Sequence, residues 1–150
     1  METLQLLNNI TFNSIDKNPR FSRKGVREWL IKTAKIEGNK IANLNYNFCS
    51  DDYLLEMNVQ YLGHNYYTDI ITFDLSDKKG YIEGDVYISI DRVKENARIQ
   101  NIKIELELRR VLVHGLLHLM GYKDSTKKEK QLMRSKENKA LDNYTLPSST

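Results

Sequence analysis

Residues 104–124 read IELELRRVLVHGLLHLMGYKD, with apolar side chains at three- and four-residue spacing. Side chains at that spacing cover a wide face of an α-helix, so the stretch predicts a largely buried helix. Gly121 follows the last apolar position and predicts the end of this helix. The apolar stripe consists of Ile104, Leu108, Val111, Leu112, Leu116, Leu119 and Met120. We therefore expect this helix to be central to the fold.

The rest of the chain alternates between strand and helix patterns. Apolar alternation and β-branched or aromatic residues predict strands at residues 4–12, 41–48, 68–73 and 81–90. Helical spacing and capping residues predict helices between Ser22 and Gly38, from Ser50 to Leu62, from Lys103 to Met120, and from about Lys127 to Leu141. We predict an α+β fold with α/β-like alternation, in which about five helices pack on a small four-stranded mixed sheet.

Length and composition are those of a soluble globular protein. The chain has 150 residues, of which 40% are hydrophobic and 29% are charged. We expect a single domain over residues 1–145 and a disordered tail over residues 146–150. No apolar stretch approaches the roughly 18 residues of a membrane helix, and the first residues do not resemble a secretory signal. We therefore expect a cytoplasmic protein, in which the single cysteine, Cys49, is a structural thiol.

The net charge of +3 is too small to identify a nucleic-acid-binding protein. Residues 123–139 do carry a local excess, because seven basic side chains stand against three acidic ones. We interpret this excess as a solvated helix face, and a contribution to nucleic-acid binding is the alternative.

Two of the three histidines, His114 and His118, lie four residues apart on the predicted apolar helix. Four residues advance by about 400° and about 6 Å, so both imidazoles leave the same helix face, as two ligands of one ion must. Such a pair also occurs in ordinary cores and interfaces, and the spacing alone is weak evidence. Gly121 allows the chain to turn back, which would bring the Asp124 carboxylate to the two imidazoles.

The segment from His114 to Asp124 can be compared with the metzincin pattern His-Glu-x-x-His-x-x-Gly-x-x-His. The Glu that serves as general base in zinc proteases is Gly115 here, which weakens the case for peptide hydrolysis. Two imidazoles and one carboxylate occur in catalytic zinc sites and in non-haem iron(II) sites. Three ligands leave a coordination position open, as catalysis requires. We predict a divalent ion, with zinc favoured, bound by His114, His118 and Asp124.

Three motifs in the same order resemble the YbeY family of endoribonucleases. The segment His114 to Asp124 is similar to the family signature His-Gly-x-Leu-His-Leu-x-Gly-Tyr-Asp-His. Residues 68–73, Thr-Asp-Ile-Ile-Thr-Phe, resemble the family's Thr-Asp-Val-Leu-Ser-Phe, and residues 84–89 resemble its Gly-Asp-Ile-x-Ile-Ser strand. The helical residues Glu129, Met133 and Glu137 also fall at family-like spacing.

The resemblance implies a metal-dependent, single-strand-specific endoribonuclease that matures the 3′ end of 16S rRNA and takes part in quality control of 70S ribosomes. It implies one zinc ion per subunit, although another divalent metal is an alternative. The expected partners are the 16S rRNA precursor and the ribosome, with neither DNA nor a membrane among them. The catalytic residues would be His114, His118 and Asp124, acting through the bound metal.

Some positions depart from the family pattern or have an open interpretation. Asp124 stands where the family usually has His, and Leu62 stands where members often have an Arg that could stabilise charge on a phosphate. We interpret His64 as a surface residue rather than a substitute for that Arg. Asp69 and Asp85 flank the shared strands and are interpreted as turn or cap carboxylates, with a role beside the ion as the alternative.

Two other functions compete with RNA cleavage. A non-catalytic ribosome-assembly factor with a structural metal would explain Leu62, but the open coordination position opposes it. A zinc peptidase is suggested by the His114 to Asp124 segment and opposed by Gly115.

Overall fold

A computed structural model describes residues 7–145 of the chain. The four strands of this part are β1 Asn9–Ser14, β2 Lys40–Cys49, β3 Ile70–Asp74 and β4 Tyr81–Ser89. The five helices of the same residues are α1 Arg23–Ile36, α2 Asp51–Leu62, α3 Ile90–Gln100, α4 Ile104–Leu119 and α5 Lys127–Asp142. The predicted α+β architecture is confirmed.

The strands form one mixed sheet in the order β1-β2-β4-β3. Strand β2 pairs in parallel with β1 and with β4, while β3 pairs antiparallel with β4. Parallel neighbours need a long crossover, and α1 provides the one between β1 and β2. Strand β3 therefore lies at one edge of the sheet, beside β4.

One face of the sheet is apolar and packs against α4. Alternating residues of β2 and β4, including Tyr46 and Val86, are fully buried on this face. The Tyr46 hydroxyl donates to the Leu112 carbonyl oxygen at 2.8 Å, which joins β2 to the middle of α4. On the other side of α4, the Trp29 indole of α1 donates to the Ala140 carbonyl oxygen of α5 at 2.7 Å. Helix α4 is thus enclosed, as its apolar stripe predicted.

Helix α4 lies close to the sheet at Gly115. A Cβ atom at this position would lie 3.0 Å from Val86 Cγ1 and 3.1 Å from Ile70 Cδ1. The lack of a side chain therefore lets the helix lie close to β3 and β4. Residue 115 faces the sheet, whereas its neighbour His114 faces away from it towards α5.

Capping residues begin the helices where the sequence predicted. The hydroxyl groups of Ser22 and Ser50 accept hydrogen bonds from the amides of Gly25 and Tyr53. The predicted extension of β4 to residue 90 is wrong, because Ser89 ends the strand and caps α3 through the Arg92 amide. Helix α3 was not located from the sequence. Its buried residues form a narrow stripe in a very polar segment, namely Ile90, Val93 and Ala97.

The strand boundaries differ modestly from the prediction. Strand β1 pairs with β2 from Asn9 to Ser14, two residues beyond the predicted end, because the parallel ladder continues opposite Phe48. Residues 4–6 of the predicted strand and the predicted disordered tail, 146–150, lie outside the described residues. None of the helices described is both long and apolar enough to cross a membrane.

Candidate metal centre

Helix α4 presents His114 and His118 on one face, one turn apart. The two imidazole ring centroids are 4.5 Å apart and the ring planes are inclined by 83°. Another face of α4, formed by Gly115 and its apolar neighbours, packs against the sheet. Burial of one face thus fixes the direction in which the two imidazoles point.

The chain reverses direction directly after α4. Gly121 adopts a φ of 104°, in the left-handed region that favours glycine, and its amide donates to the His118 carbonyl oxygen. The Tyr122 amide donates to the Leu117 carbonyl oxygen at 3.1 Å. This turn returns Asp124 to the histidines, as the sequence predicted.

A partly buried contact with Glu37, the residue that follows α1, supports the turn. The Tyr122 hydroxyl donates to one oxygen of the Glu37 carboxylate, and the Lys136 ammonium group lies 2.9 Å from the other oxygen. Burial raises the pKa of Glu37, but the hydrogen bonds from Tyr122 and Lys136 outweigh it and leave the pKa below its usual value. The segment before Asp124 is therefore fastened to α1 and α5.

The three predicted ligands converge. Asp124 Oδ2 lies 3.4 Å from His114 Nε2 and 3.4 Å from His118 Nε2. The donor atoms of all three residues lie within 4.8 Å of one another. Between residues 7 and 145, no other group of three or more His, Cys, Asp or Glu side chains is arranged to hold a metal.

Glu137 of α5 contacts a proposed ligand, a role that the sequence did not assign to it. Its side chain is 6% exposed, and Oε2 lies 2.7 Å from His114 Nδ1. Its other oxygen accepts a hydrogen bond from Arg110 Nη1 at 3.1 Å. The signal in the sequence was a carboxylate on the apolar stripe of α5, between the buried residues Met133 and Ala140.

The His114–Glu137 contact changes the protonation of both groups. Burial lowers the pKa of His114, yet the hydrogen bond to Glu137 outweighs burial and leaves the pKa above its ordinary value. Burial raises the pKa of Glu137, while the hydrogen bonds from His114 and Arg110 leave it below its ordinary value. A proton on Nδ1 of His114 is thereby favoured, and Nε2 faces Asp124.

The two strand carboxylates are in different places. The negative charge of Asp69 contributes to the raised pKa of His114, so this carboxylate acts on the centre from a distance. Asp85 accepts a hydrogen bond from Asn45 Nδ2 at 2.9 Å. Because its neighbours Gly84 and Val86 face α4, Asp85 points to the opposite face of the sheet. Of these two carboxylates, only Asp69 therefore acts on His114.

The other candidate residues stand apart from the three converging ligands. Leu62 is exposed at the end of α2. His64 is exposed, and its ring stacks on Tyr66, whose hydroxyl lies 3.0 Å from Nδ1. Cys49 is fully buried, and burial raises the pKa of its thiol to about 12, which confirms the predicted structural role.

Comparisons with known proteins show the family of this chain. The family model described as Endoribonuclease YbeY matches residues 8–145. A protein of that name from Cytophaga hutchinsonii is 60% identical over 119 residues, which cover 79% of this chain and 83% of the relative. Another from Porphyromonas gingivalis is 45% identical over 123 residues, 82% of this chain and 81% of the relative.

A solved structure shares the fold. The solution structure of TM1509 from Thermotoga maritima superposes with a TM-score of 0.65 at 30% sequence identity. The match covers 89% of this chain and 87% of the Thermotoga maritima chain. By its sequence and by its fold, the chain belongs to the YbeY family of endoribonucleases.

Proposed function

We propose that this chain is a single-strand-specific endoribonuclease whose zinc ion is held by His114, His118 and Asp124, one ion per subunit. Its proposed task is maturation of the 3′ end of 16S rRNA and quality control of 70S ribosomes in the cytoplasm. Membership of the endoribonuclease family supports RNA cleavage as the reaction.

One observation carries the proposed metal site. A tetrahedral zinc ion about 2.1 Å from each ligand holds two ligand atoms about 3.4 Å apart. The Asp124 oxygen is 3.4 Å from both imidazole nitrogens. The side chains are therefore spaced as ligands of one small ion, and the donor set of two nitrogens and one oxygen suits zinc. Another divalent metal such as iron(II) fits the same donors.

The residues around the site have distinct roles. A zinc ion bound there would supply Lewis-acid chemistry, polarising a phosphoryl oxygen and making water acidic enough to attack at neutral pH. His114, His118 and Asp124 would hold the ion with three ligand atoms, which would leave a coordination position for water or substrate. Glu137 accepts a hydrogen bond from the Nδ1–H group of His114. This bond orients the imidazole and keeps the lone pair on Nε2 available for a metal.

A second candidate function is a non-catalytic ribosome-assembly factor that uses the same metal site structurally. The observation in its favour is Leu62, an exposed apolar residue where many family members have an Arg. The structure gives the peptidase alternative less support than the sequence does. Residue 115 faces Val86 and Ile70, so a carboxylate at that position would enter the sheet.

Substrate assays with metal control distinguish these functions. The purified protein is incubated with single-stranded RNA, duplex RNA and casein, each with and without a chelator, and its metal content is determined by elemental analysis. We expect cleavage of the single-stranded RNA alone and its loss with chelator. Intact RNA together with stoichiometric zinc would favour the assembly factor, and digestion of casein would favour the peptidase.

A further inference from the structure

The basic residues of α5 are divided between two exposed faces. Lys127, Lys130, Gln131 and Arg134 line one open depression of about 570 Å³. Their spacing of three, four and seven residues places them in one row along the helix. Lys128 and Lys139 are exposed as well but do not line this depression. Three of the seven basic residues between 123 and 139 therefore lie in one exposed row, which we call the α5 row: Lys127, Lys130 and Arg134.

The end of the α5 row contacts a carboxylate that also contacts one of the proposed metal ligands. Arg134 Nη1 lies 3.6 Å from Glu137 Oε1, and the other oxygen of the same carboxylate lies 2.7 Å from His114 Nδ1. Arg110 of α4 contacts Glu137 from a second direction, with Nη1 3.1 Å from Oε1. A single buried carboxylate thus connects the end of the row to a proposed metal ligand.

Most of the positive charge in the α5 row is not neutralised. In the part of the chain from 7 to 145, neither Lys127 nor Lys130 has a carboxylate within 4.0 Å of its ammonium group. The acidic residue nearest in sequence, Glu129, is engaged in the capping box of α5 by the Ser125 and Thr126 amides. Arg134 remains 59% exposed despite its contact with Glu137. The row therefore presents free cations to solvent beside the site.

We infer that the α5 row binds the phosphodiester backbone of single-stranded RNA and leads that strand to the metal centre. This inference rests on the proposed function, because it takes RNA as the substrate. Lysine ammonium groups contact phosphates as point charges, and an exposed guanidinium can bind two phosphate oxygens. Continuity with the centre favours RNA over an acidic protein as the occupant, since cleavage requires a phosphate to lie at the ion.

Two double charge reversals on the same helix test the inference. Lys127→Glu/Lys130→Glu changes the α5 row, and Lys128→Glu/Lys139→Glu makes the same change in net charge outside it. Positions 127 and 128 both lie in the first helical turn, where acidic residues favour the helix, whereas position 139 lies in the last turn, where they do not. Thermal unfolding of both variants therefore accompanies the binding measurement. RNA affinity is measured in EDTA with a single-stranded oligonucleotide between about 50 and about 200 mM salt.

The Lys127→Glu/Lys130→Glu variant should bind RNA more weakly than the wild type. Its plot of log affinity against log salt should be less steep by about 1.4, since each lost phosphate contact contributes about 0.7 to the steepness for single strands. The control variant should keep the wild-type slope. Equal slopes in the two variants, whether reduced or unchanged, would overturn the inference. If the wild type still cleaves RNA in that case, the proposed function stands. A wild-type protein that neither binds nor cleaves RNA would contradict both the inference about the α5 row and the proposed function.

Discussion

Glu137 Oε2 lies 2.7 Å from His114 Nδ1, so a buried carboxylate on α5 holds an imidazole on α4. The same carboxylate contacts Arg110, which balances its charge within the protein. Helix packing and ligand orientation are therefore coupled: displacing α5 would release His114. This coupling explains why a charged residue occupies a position on the apolar stripe of α5.

We expect Glu137→Gln to weaken zinc binding by about 10- to 100-fold, because the amide cannot hold a proton on Nδ1 as a carboxylate does. Asn138→Ala is the matched control, since Asn138 also accepts from Arg110 Nη1, at 3.0 Å, but belongs to the exposed side of α5. Competition with a chelating dye gives the zinc affinity, and thermal unfolding checks the fold. Wild-type affinity in Glu137→Gln would contradict the positioning role.

Gly115→Glu should not create peptidase activity or improve RNA cleavage, and it should destabilise the protein by about 3 kcal/mol or more. The new carboxylate would enter the contact with Val86 and Ile70, whose apolar side chains cannot compensate for its burial. Gly115→Ala should cost less, because it adds only the tight Cβ contacts. Urea unfolding of the two variants measures the difference. Equal stability of the Glu variant and the wild type would mean that residue 115 does not face the sheet.

Asp124→His should retain the metal, because it places an imidazole where the family usually has one. The site would then have three nitrogen ligands, which changes its relative affinity for zinc and iron(II). Asp124→Ala, by contrast, removes a ligand and should lose most of the bound metal. Elemental analysis of both proteins, purified without added metal, makes the comparison. Full zinc occupancy in Asp124→Ala would remove Asp124 from the ligand set.

Cys49 should be unreactive in the folded protein at pH 8 and should react with a disulfide reagent after denaturation. Burial raises its pKa from 9.0 to about 12, so the folded thiol stays protonated at that pH. A pKa raised by folding contributes stability below the unfolded value, and this stability is lost as the pH rises from about 9 towards 12. Rapid labelling of the native protein would show that β2 does not enclose the thiol.

The sequence predicted the features that depend on local periodicity. Helix α4, its two histidines and the turn to Asp124 follow from apolar spacing and one glycine. Helix α3 could not be located because three buried residues in a polar segment give too weak a periodic signal. Glu137 carried no local sign of its partner either, since its contact with His114 spans 23 residues and depends on how α5 packs on α4.

The position of Asp85 shows a further limit. The shared strand motif placed it near the ion as one alternative, whereas the pleat directs it to the other face, where Asn45 binds it. Deciding between the faces requires knowing which side α4 covers, and that is a tertiary property. The basic residues of α5 pose the same problem, because only the packing of the helix separates Lys127 and Lys130 from Lys128.

The central claim is that RNA cleavage depends on the ion held by His114, His118 and Asp124. Its most direct test is the rate of single-stranded RNA cleavage by His114→Ala, with metal content determined on the same preparation. Loss of one of three ligands should remove most of the metal and abolish cleavage, and His118→Ala should behave alike. A metal-free His114→Ala protein that is folded and cleaves RNA at the wild-type rate would contradict the account.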